Sequence, residues 1–83
     1  MAQTLVKFRH IESMRNEHIK AIWTDNPLNI LQLAIAAGTV ILEDEPYTYE
    51  FSELIPAKGR EFVDVLMIYV DGYGDGGSEY YLS

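Results

Sequence analysis

Two histidines, His10 and His18, offer the first candidate chemistry in this 83-residue sequence. Histidine is the residue type whose ordinary pKa lies closest to neutrality, so one of the two could act as a general base for Ser13, with Glu12 orienting its ring. A catalytic triad, however, is defined by geometry and needs a pocket with hydrogen-bond donors for the developing charge. Proximity along the chain supplies neither. A cross-strand pair between Glu12 and His18 explains the same residues, and we predict that the protein is not an enzyme.

Three carboxylates spaced by four residues, Asp71, Asp75 and Glu79, lie in a glycine-rich stretch that could suggest a calcium site. Calcium takes about six to eight oxygen ligands, and loops that bind it place a ligand at every second position. Here Gly72, Tyr73 and Gly74 separate the first two carboxylates and offer no suitable side-chain oxygen. The stretch also lacks the Gly-Lys-Ser/Thr ending of a phosphate-binding loop. We predict a glycine-rich turn with no metal and no cofactor.

Charge is distributed unevenly along the chain, whose formal net charge is −7. Residues 1–24 carry four basic side chains against two acidic ones, whereas residues 25–83 carry eleven acidic side chains against two basic ones. Phosphate contacts require lysine and arginine, so the acidic segment is not expected to bind nucleic acid directly. The basic residues near Phe8 and Trp23 could form a small stacking patch, but repulsion from the acidic segment opposes this. A protein partner with a basic surface is the expected one.

No feature of the sequence indicates export or a membrane. The chain contains no cysteine, and its longest uninterrupted apolar run, Val65–Val70, falls far short of the roughly 20 residues that span a bilayer. The first ten residues have no apolar stretch ahead of their charges, as a signal peptide would. We expect a cytoplasmic protein without a membrane partner.

Acidic residues interleaved with tyrosines form the candidate binding surface. Carboxylates two apart on a strand stand about 6.6 Å apart on one face, a spacing comparable to that of neighbouring phosphates. Such a ladder could imitate a nucleic-acid backbone to an arginine-rich groove, and tyrosines within an acidic rim suit a protein interface. The predicted partner-binding residues are Glu43, Asp44, Glu45, Glu50, Glu53, Tyr47, Asp71, Tyr73 and Asp75. For Tyr49 and Tyr69 we expect a half-buried place in a strand instead.

The function predicted from these features is that of a small acidic, non-catalytic protein-interaction module. By analogy of size and charge alone, small inhibitors encoded by phages or plasmids, including DNA mimics and anti-CRISPR proteins, occupy the basic nucleic-acid-binding surface of a partner in this way. The alternative is a structural module that forms a homodimer through an exposed edge strand near its C-terminus, with no inhibitor role.

The elements that must position these residues begin with a β-hairpin within a single predicted domain, residues 1–83. Residues 5–11 and 18–24 alternate imperfectly between apolar and polar, and Met14–Asn16 would form a three-residue loop. This loop pairs Lys7 with Trp23, His10 with Lys20 and Glu12 with His18. It places Val6, Phe8 and Ile22 on one face and Leu5, Ile11, Ile19 and Trp23 on the other. Because both faces are partly apolar, the pattern leaves open which one meets the core.

A helix over residues 27–37 is the clearest element. Asn26 is a favourable N-cap, Pro27 suits the first helical position, and Gly38 suits the left-handed C-terminal stop. The apolar residues cover most of the helix circumference, which predicts a largely buried helix that packs Leu31 and Ile35 into the core. Leu28, Leu31 and Ile35 form one apolar stripe, and beside it lie Ile30, Leu33, Ala34 and Ala37.

Four further strands complete the predicted fold. Residues 39–42 and 47–51 flank a turn at 43–46, with Tyr47, Tyr49 and Phe51 on one face. Residues 62–70 are rich in β-branched side chains, which favours a strand buried on both faces over a helix. Residues 78–82 would return beside it as an edge strand. The predicted class is α+β, a small, mostly antiparallel sheet in the order β-β-α-β-β-β-β with one helix packed on one face.

Overall fold

A computed structural model describes residues 3–12, 18–57, 63–72 and 78–82. Within these ranges the chain forms one helix and six strands in the predicted order, which confirms the α+β class. They are β1 (Thr4–His10), β2 (Lys20–Thr24), α1 (Pro27–Ala37), β3 (Thr39–Leu42), β4 (Glu45–Ile55), β5 (Val65–Gly72) and β6 (Glu79–Tyr81).

The strands form a single mixed sheet with the order β2-β1-β5-β4-β3-β6. Pairs β1/β2, β3/β4 and β4/β5 are antiparallel, whereas β1/β5 and β3/β6 are parallel. The prediction that the last strand returns beside the 62–70 strand is therefore wrong. Since β5 already pairs with β1 on one side and β4 on the other, its edges are occupied, and β6 pairs with β3 at the far side of the sheet.

The N-terminal hairpin forms with a register shifted by two residues from the predicted one. Trp23 lies opposite Leu5 and Ala21 lies opposite Lys7, while the predicted three-residue loop falls outside the described residues. A shift of two preserves the face of each strand residue, because side chains alternate with a period of two. Val6 and Phe8 are fully buried, so their face meets the core. Ile19 was predicted on the opposite face, but it precedes β2 and packs against the core.

Helix α1 has the predicted ends. Gly38 adopts the left-handed conformation with φ 81°, and its N–H donates to the Ala34 carbonyl at 2.9 Å. Asn26 occupies the N-cap position, but its side chain makes no capping hydrogen bond. Its own N–H instead donates to Thr24 Oγ1 at 3.0 Å, which ties the helix start to the end of β2.

The predicted orientation of α1 is wrong in part. Ile30 and Ala34 are the buried helix residues, and Leu31 is half-buried against the core. Leu28 and Ile35 are 64% and 53% exposed. A single helix on one face of a small sheet contacts it along a narrow stripe four residues apart, so apolar residues outside that stripe remain in solvent.

Gly38→Ala is expected to lower the free energy of unfolding by about 1 kcal/mol, because a Cβ disfavours positive φ. An added Cβ would meet no atom within 4 Å, so backbone strain is the whole effect. Urea unfolding measures this loss. Gly38→Asn is the matched control and should lose less, since asparagine tolerates the left-handed region. Equal losses in the two variants would contradict the assignment of the stability loss to the left-handed backbone conformation at Gly38.

Strand β4 is longer than predicted and changes faces at a β-bulge. Tyr49 pairs with Val70 and Phe51 with Tyr69, which leaves Glu50 as the extra residue. An inserted residue reverses the alternation beyond it. Phe51 therefore does not share a face with Tyr47 and Tyr49, as predicted; it is 48% exposed and stacks on Tyr69, with ring centroids 4.5 Å apart.

The apolar segment near the C-terminus forms a strand and not a helix. This strand, β5, starts at Val65. Leu66, Ile68 and Val70 on its inner face belong to the core cluster, while Met67 and Tyr69 on its outer face are half-buried. The prediction of burial on both faces is therefore correct in full only for the inner one, which α1 covers; on the outer face of β5 Val65 is buried, and Met67 and Tyr69 are only half-buried.

Candidate functional site

The most acidic feature among the described residues is the turn between β3 and β4. It contains two residues, not the predicted four: Glu43 and Asp44 have φ values of 51° and 66°, and Glu45 opens β4. Positive φ at both central positions is the geometry that suits the twist of a two-residue hairpin. The turn lifts Glu43, Asp44 and Glu45 into solvent, where all three are exposed.

Lys20, the first residue of the edge strand β2, reaches this turn from the other edge of the sheet. Its Nζ donates to Glu43 Oε1 at 2.8 Å, although β1, β5 and β4 separate their strands in the sheet order. The sheet therefore curls around the core until its β2 edge approaches the β3–β4 turn. The hydrogen bond and positive charge of Lys20 lower the pKa of the Glu43 carboxyl. Because the Glu43 side chain is 63% exposed, solvent screens most of this attraction.

Two further carboxylates lie at the same end of the sheet. Strands β1 and β5 are parallel and both finish there, next to the start of β4, where Tyr47 pairs with Gly72. Asp71 near the end of β5 and Glu12 just after β1 therefore join the turn. We call this set the acidic end of the sheet; its members are Glu12, Glu43, Asp44, Glu45 and Asp71.

His10 lies within this group and holds two strand ends together. Its Nδ1 is 3.2 Å from the Glu12 N–H nitrogen, its Nε2 is 3.2 Å from the Gly72 N–H nitrogen, and Nε2 is also 3.6 Å from Asp71 Oδ1. Neutral imidazole has one acceptor nitrogen, so it can accept from only one of the two N–H groups at a time. The ring serves as a connector between β1 and β5.

His10, Glu12 and Asp71 are also the residues that could hold a metal ion, since one ligand atom of each lies within 4.8 Å of the others. One nitrogen and two oxygens would suit zinc or manganese. The His10 ring and Asp71 already have partners, however: the ring nitrogens face backbone N–H groups, and Asp71 Oδ1 accepts from Gly72 N–H at 2.8 Å. A metal would have to displace these bonds, so the arrangement favours a structural role.

The structure brings together only part of the predicted partner-binding set. Glu43, Asp44, Glu45 and Asp71 meet at the acidic end, whereas Glu53 lies eight positions beyond Glu45 along β4, a separation of roughly 26 Å for an extended strand. Glu50 sits between them at the bulge, exposed to solvent.

Two tyrosines and Asp75 complete the predicted set. Tyr47 is not an exposed anchor, because it is half-buried against the core. Tyr49 packs there too, as expected, and Tyr69 is half-buried on the outer side. Tyr73 and Asp75 lie outside the described residues.

The predicted ladder of carboxylates two apart on one strand does not form among the described residues. Glu43 and Glu45 have that spacing, but Glu43 belongs to the turn and has left-handed backbone. Glu53 is engaged elsewhere: Tyr69 Oη donates to its Oε1 at 2.8 Å, and this hydrogen bond raises the pKa of Tyr69. The acidic end is a cluster at the ends of strands, with no regular phosphate-like spacing.

An apolar cleft of about 330 Å³ lies at the opposite end of the sheet, between the start of α1 and strands β4 and β5. Leu28, Leu31, Leu54 and Leu66 provide most of its wall. Its described lining also includes the acidic residues Glu53 and Asp64 and contains no histidine.

Comparison with protein-family models, with curated proteins and with solved structures finds no match for this chain. Among the described residues, no helix is long and apolar enough to cross a membrane.

Proposed function

We propose that this protein is a non-catalytic interaction module that binds a basic surface of another protein through the acidic end of its sheet. The observation that carries the proposal is that Glu12, Glu43, Asp44, Glu45 and Asp71, from three separate parts of the chain, lie at one end of the sheet, where Lys20 pairs with Glu43. A concentrated field of one sign steers an oppositely charged partner and selects against others.

The acidic end of the sheet does not form part of the buried core. Glu45 and Glu12 are exposed, and neither belongs to the buried cluster that stabilises the sheet. Charges in such positions contribute little to stability and mostly to association rates and specificity. A binding role therefore accounts for carboxylates that the fold itself does not require.

The finer form of the proposal is that the partner's basic surface is a nucleic-acid-binding groove, so that the protein acts as an inhibitor. Net charge and small size support this form, while the irregular spacing of the carboxylates favours a fit to one particular surface over imitation of a nucleic-acid backbone. Edge-strand pairing near the C-terminus has less support, because β6 has three residues and offers few backbone groups to a partner.

Reversing two charges of the acidic end, Glu12→Lys with Glu45→Lys, is expected to weaken partner binding about 10- to 100-fold and to leave the fold intact. Proteins captured from host lysate by the wild-type chain provide the partner, and titration of the purified partner measures affinity. Wild-type binding should also weaken as salt rises, since the Debye length falls from about 10 Å at 0.1 M to about 3 Å at 1 M.

The matched control is Asp25→Lys with Glu79→Lys, which makes the same change in net charge at exposed sites outside the acidic end. It should bind nearly as well as the wild type. Equal loss in both double variants would mean that only net charge matters, and salt-independent binding would contradict the proposal outright. Competition by duplex DNA for the partner tests the finer form.

A further inference from the structure

The side of the sheet that faces away from α1 is a second surface, distinct from the acidic end. Val6, Phe8, Leu66 and Ile68 point inward to the core, so the residues that alternate with them point outward. Strand register aligns these outward residues in rows across β2, β1, β5 and β4. We call this surface the outer face; its members include Leu5, Lys7, Arg9, Trp23, Phe51, Glu53, Met67 and Tyr69.

The outer face is apolar to an unusual degree for a surface open to water. Trp23 is 54% exposed and Phe51 is 48% exposed, and the stacked pair of Phe51 and Tyr69 stands beside half-buried Met67. No described helix or strand covers this side. A sheet with apolar side chains on both faces gains by burying the second one, and large exposed apolar side chains gathered on one face are typical of an interaction site.

Charge in the rows of Met67 and Tyr69 on the outer face is arranged in two opposite columns. Lys7 and Arg9 project from β1, whereas Glu53 projects from β4, and β5 runs between them. Lys7, Met67 and Glu53 share one row, because Lys7 pairs with Met67 and Met67 pairs with Glu53. In the next row Arg9 lies beside Tyr69, whose hydroxyl donates to Glu53. The face therefore has a basic side and an acidic side about two strand spacings apart, roughly 10 Å.

We propose that a second copy of this chain packs on the outer face, related by a two-fold axis that runs along β5 in the plane between the two sheets. Rotation about such an axis places each strand of one copy opposite the strand that lies on the other side of β5 in the second copy. It leaves each residue in its row. Strand β1 then faces β4 of the second copy, so Lys7 lies opposite Glu53 of the second copy and Glu53 lies opposite its Lys7. Met67 and Tyr69 meet their own equivalents at the axis.

The charge columns select this orientation over the other face-to-face arrangement. An axis perpendicular to the strands would set β1 against β1 and β4 against β4, which brings like charges together. With the axis along β5 the two sheets form an aligned sandwich, for which side chains of both faces interdigitate at a spacing of about 10 Å. Phe51 then faces Arg9 of the second copy, a favourable aromatic and cation contact.

The size of the outer face sets the strength of the dimer. Four strands span about 19 Å and five residues along each span about 17 Å, so each copy contributes a patch of a few hundred Å². The total falls below the roughly 1,200–2,000 Å² of a stable complex, which places this interface among those that dissociate on dilution. We expect a dissociation constant on the order of 10–100 µM.

Sedimentation equilibrium of the full chain over a range of concentrations, at low salt, tests the proposal. The wild type should change from monomer to dimer within that range. Lys7→Glu alone and Glu53→Lys alone should each weaken the dimer at least tenfold, because each creates two like-charge contacts across the axis. Asp25→Lys, a charge change outside the outer face, should leave the equilibrium unchanged.

The decisive measurement mixes the two single variants. A Lys7→Glu chain and a Glu53→Lys chain complement each other at both contacts, so the mixture should form a heterodimer about as strong as the wild-type dimer, and so should the double variant with itself. A wild type that stays monomeric at about 1 mM, or a mixture no stronger than either variant alone, overturns the proposal. Circular dichroism of each variant confirms that it is folded. The residues tested here lie outside the acidic end, so this outcome is independent of partner binding.

Discussion

Phe8→Ala is expected to lower the free energy of unfolding by about 3–5 kcal/mol, the largest loss of any single substitution considered for this chain. Phe8 is fully buried, and it lies at the centre of β1, opposite Lys20 on one side and Ile68 on the other. Its removal leaves a cavity where β1, β5 and α1 meet. A domain of this length has a total stability of about 4–12 kcal/mol, so the variant should be partly unfolded at 25 °C.

Phe51→Ala is the matched control, since it removes the same side chain from a site that is 48% exposed. Its loss should stay near 1 kcal/mol and consist mostly of the stacking contact with Tyr69. Denaturant unfolding at low protein concentration compares the two variants as monomers. If the control loses as much as Phe8→Ala, the inner and outer faces of the sheet have been assigned the wrong way round.

The parts of the fold that could be predicted are those encoded by neighbouring residues. Pro27 and Gly38 set the ends of α1 through their own backbone preferences, and Thr39–Leu42 has strand propensity next to a turn. The faces of Val6, Phe8 and Ile22 and of Leu5 and Trp23 in the N-terminal hairpin were also predicted, because the observed shift of two residues in register leaves the alternation unchanged. Ile19, which precedes β2, is the exception.

The parts that could not be predicted depend on contacts between distant residues. Nothing local to Leu5–His10 indicates that it pairs in parallel with Val65–Val70. The same holds for β6, which pairs with β3 some forty residues earlier in the chain. The bulge at Glu50 carries no glycine that would mark it, so the reversal of faces at Phe51 had no local signal.

The candidate site likewise contains some residues that are neighbours in sequence and others that only the fold brings together. Glu43, Asp44 and Glu45 are adjacent in sequence, so the sequence alone groups them. Asp71, which was predicted to belong with them, joins them through the antiparallel pairing of β4 with β5, and Glu12, which was not, joins them through the parallel pairing of β1 with β5. Conversely, Glu53 looked like a member because it is close in sequence, but the extended strand carries it away and onto the outer face.

The two proposed surfaces would act together in one assembly. The acidic end lies where β1 and β5 finish, while the outer face covers the flat side of β2, β1, β5 and β4. Because the two-fold axis runs along β5, both acidic ends of a dimer would point the same way. Each dimer would then present two acidic clusters side by side to one extended basic surface, and simultaneous contact would raise the effective affinity.

The burial pattern of α1 leads to a second prediction with a large expected loss in the free energy of unfolding. Ile30→Ala should cost about 2–5 kcal/mol, because Ile30 is only 7% exposed and packs with Ala34 against the sheet. Ile35→Ala removes the same atoms from the same helix at a site that is 53% exposed, so it should cost about 1 kcal/mol or less. Both substitutions improve helix propensity slightly, and that contribution cancels in the comparison. Urea unfolding of the two variants measures the difference directly. If Ile35→Ala proves the more costly, α1 presents its Leu28, Leu31 and Ile35 stripe to the core after all, and the contact of Ile30 and Ala34 with the sheet is wrong.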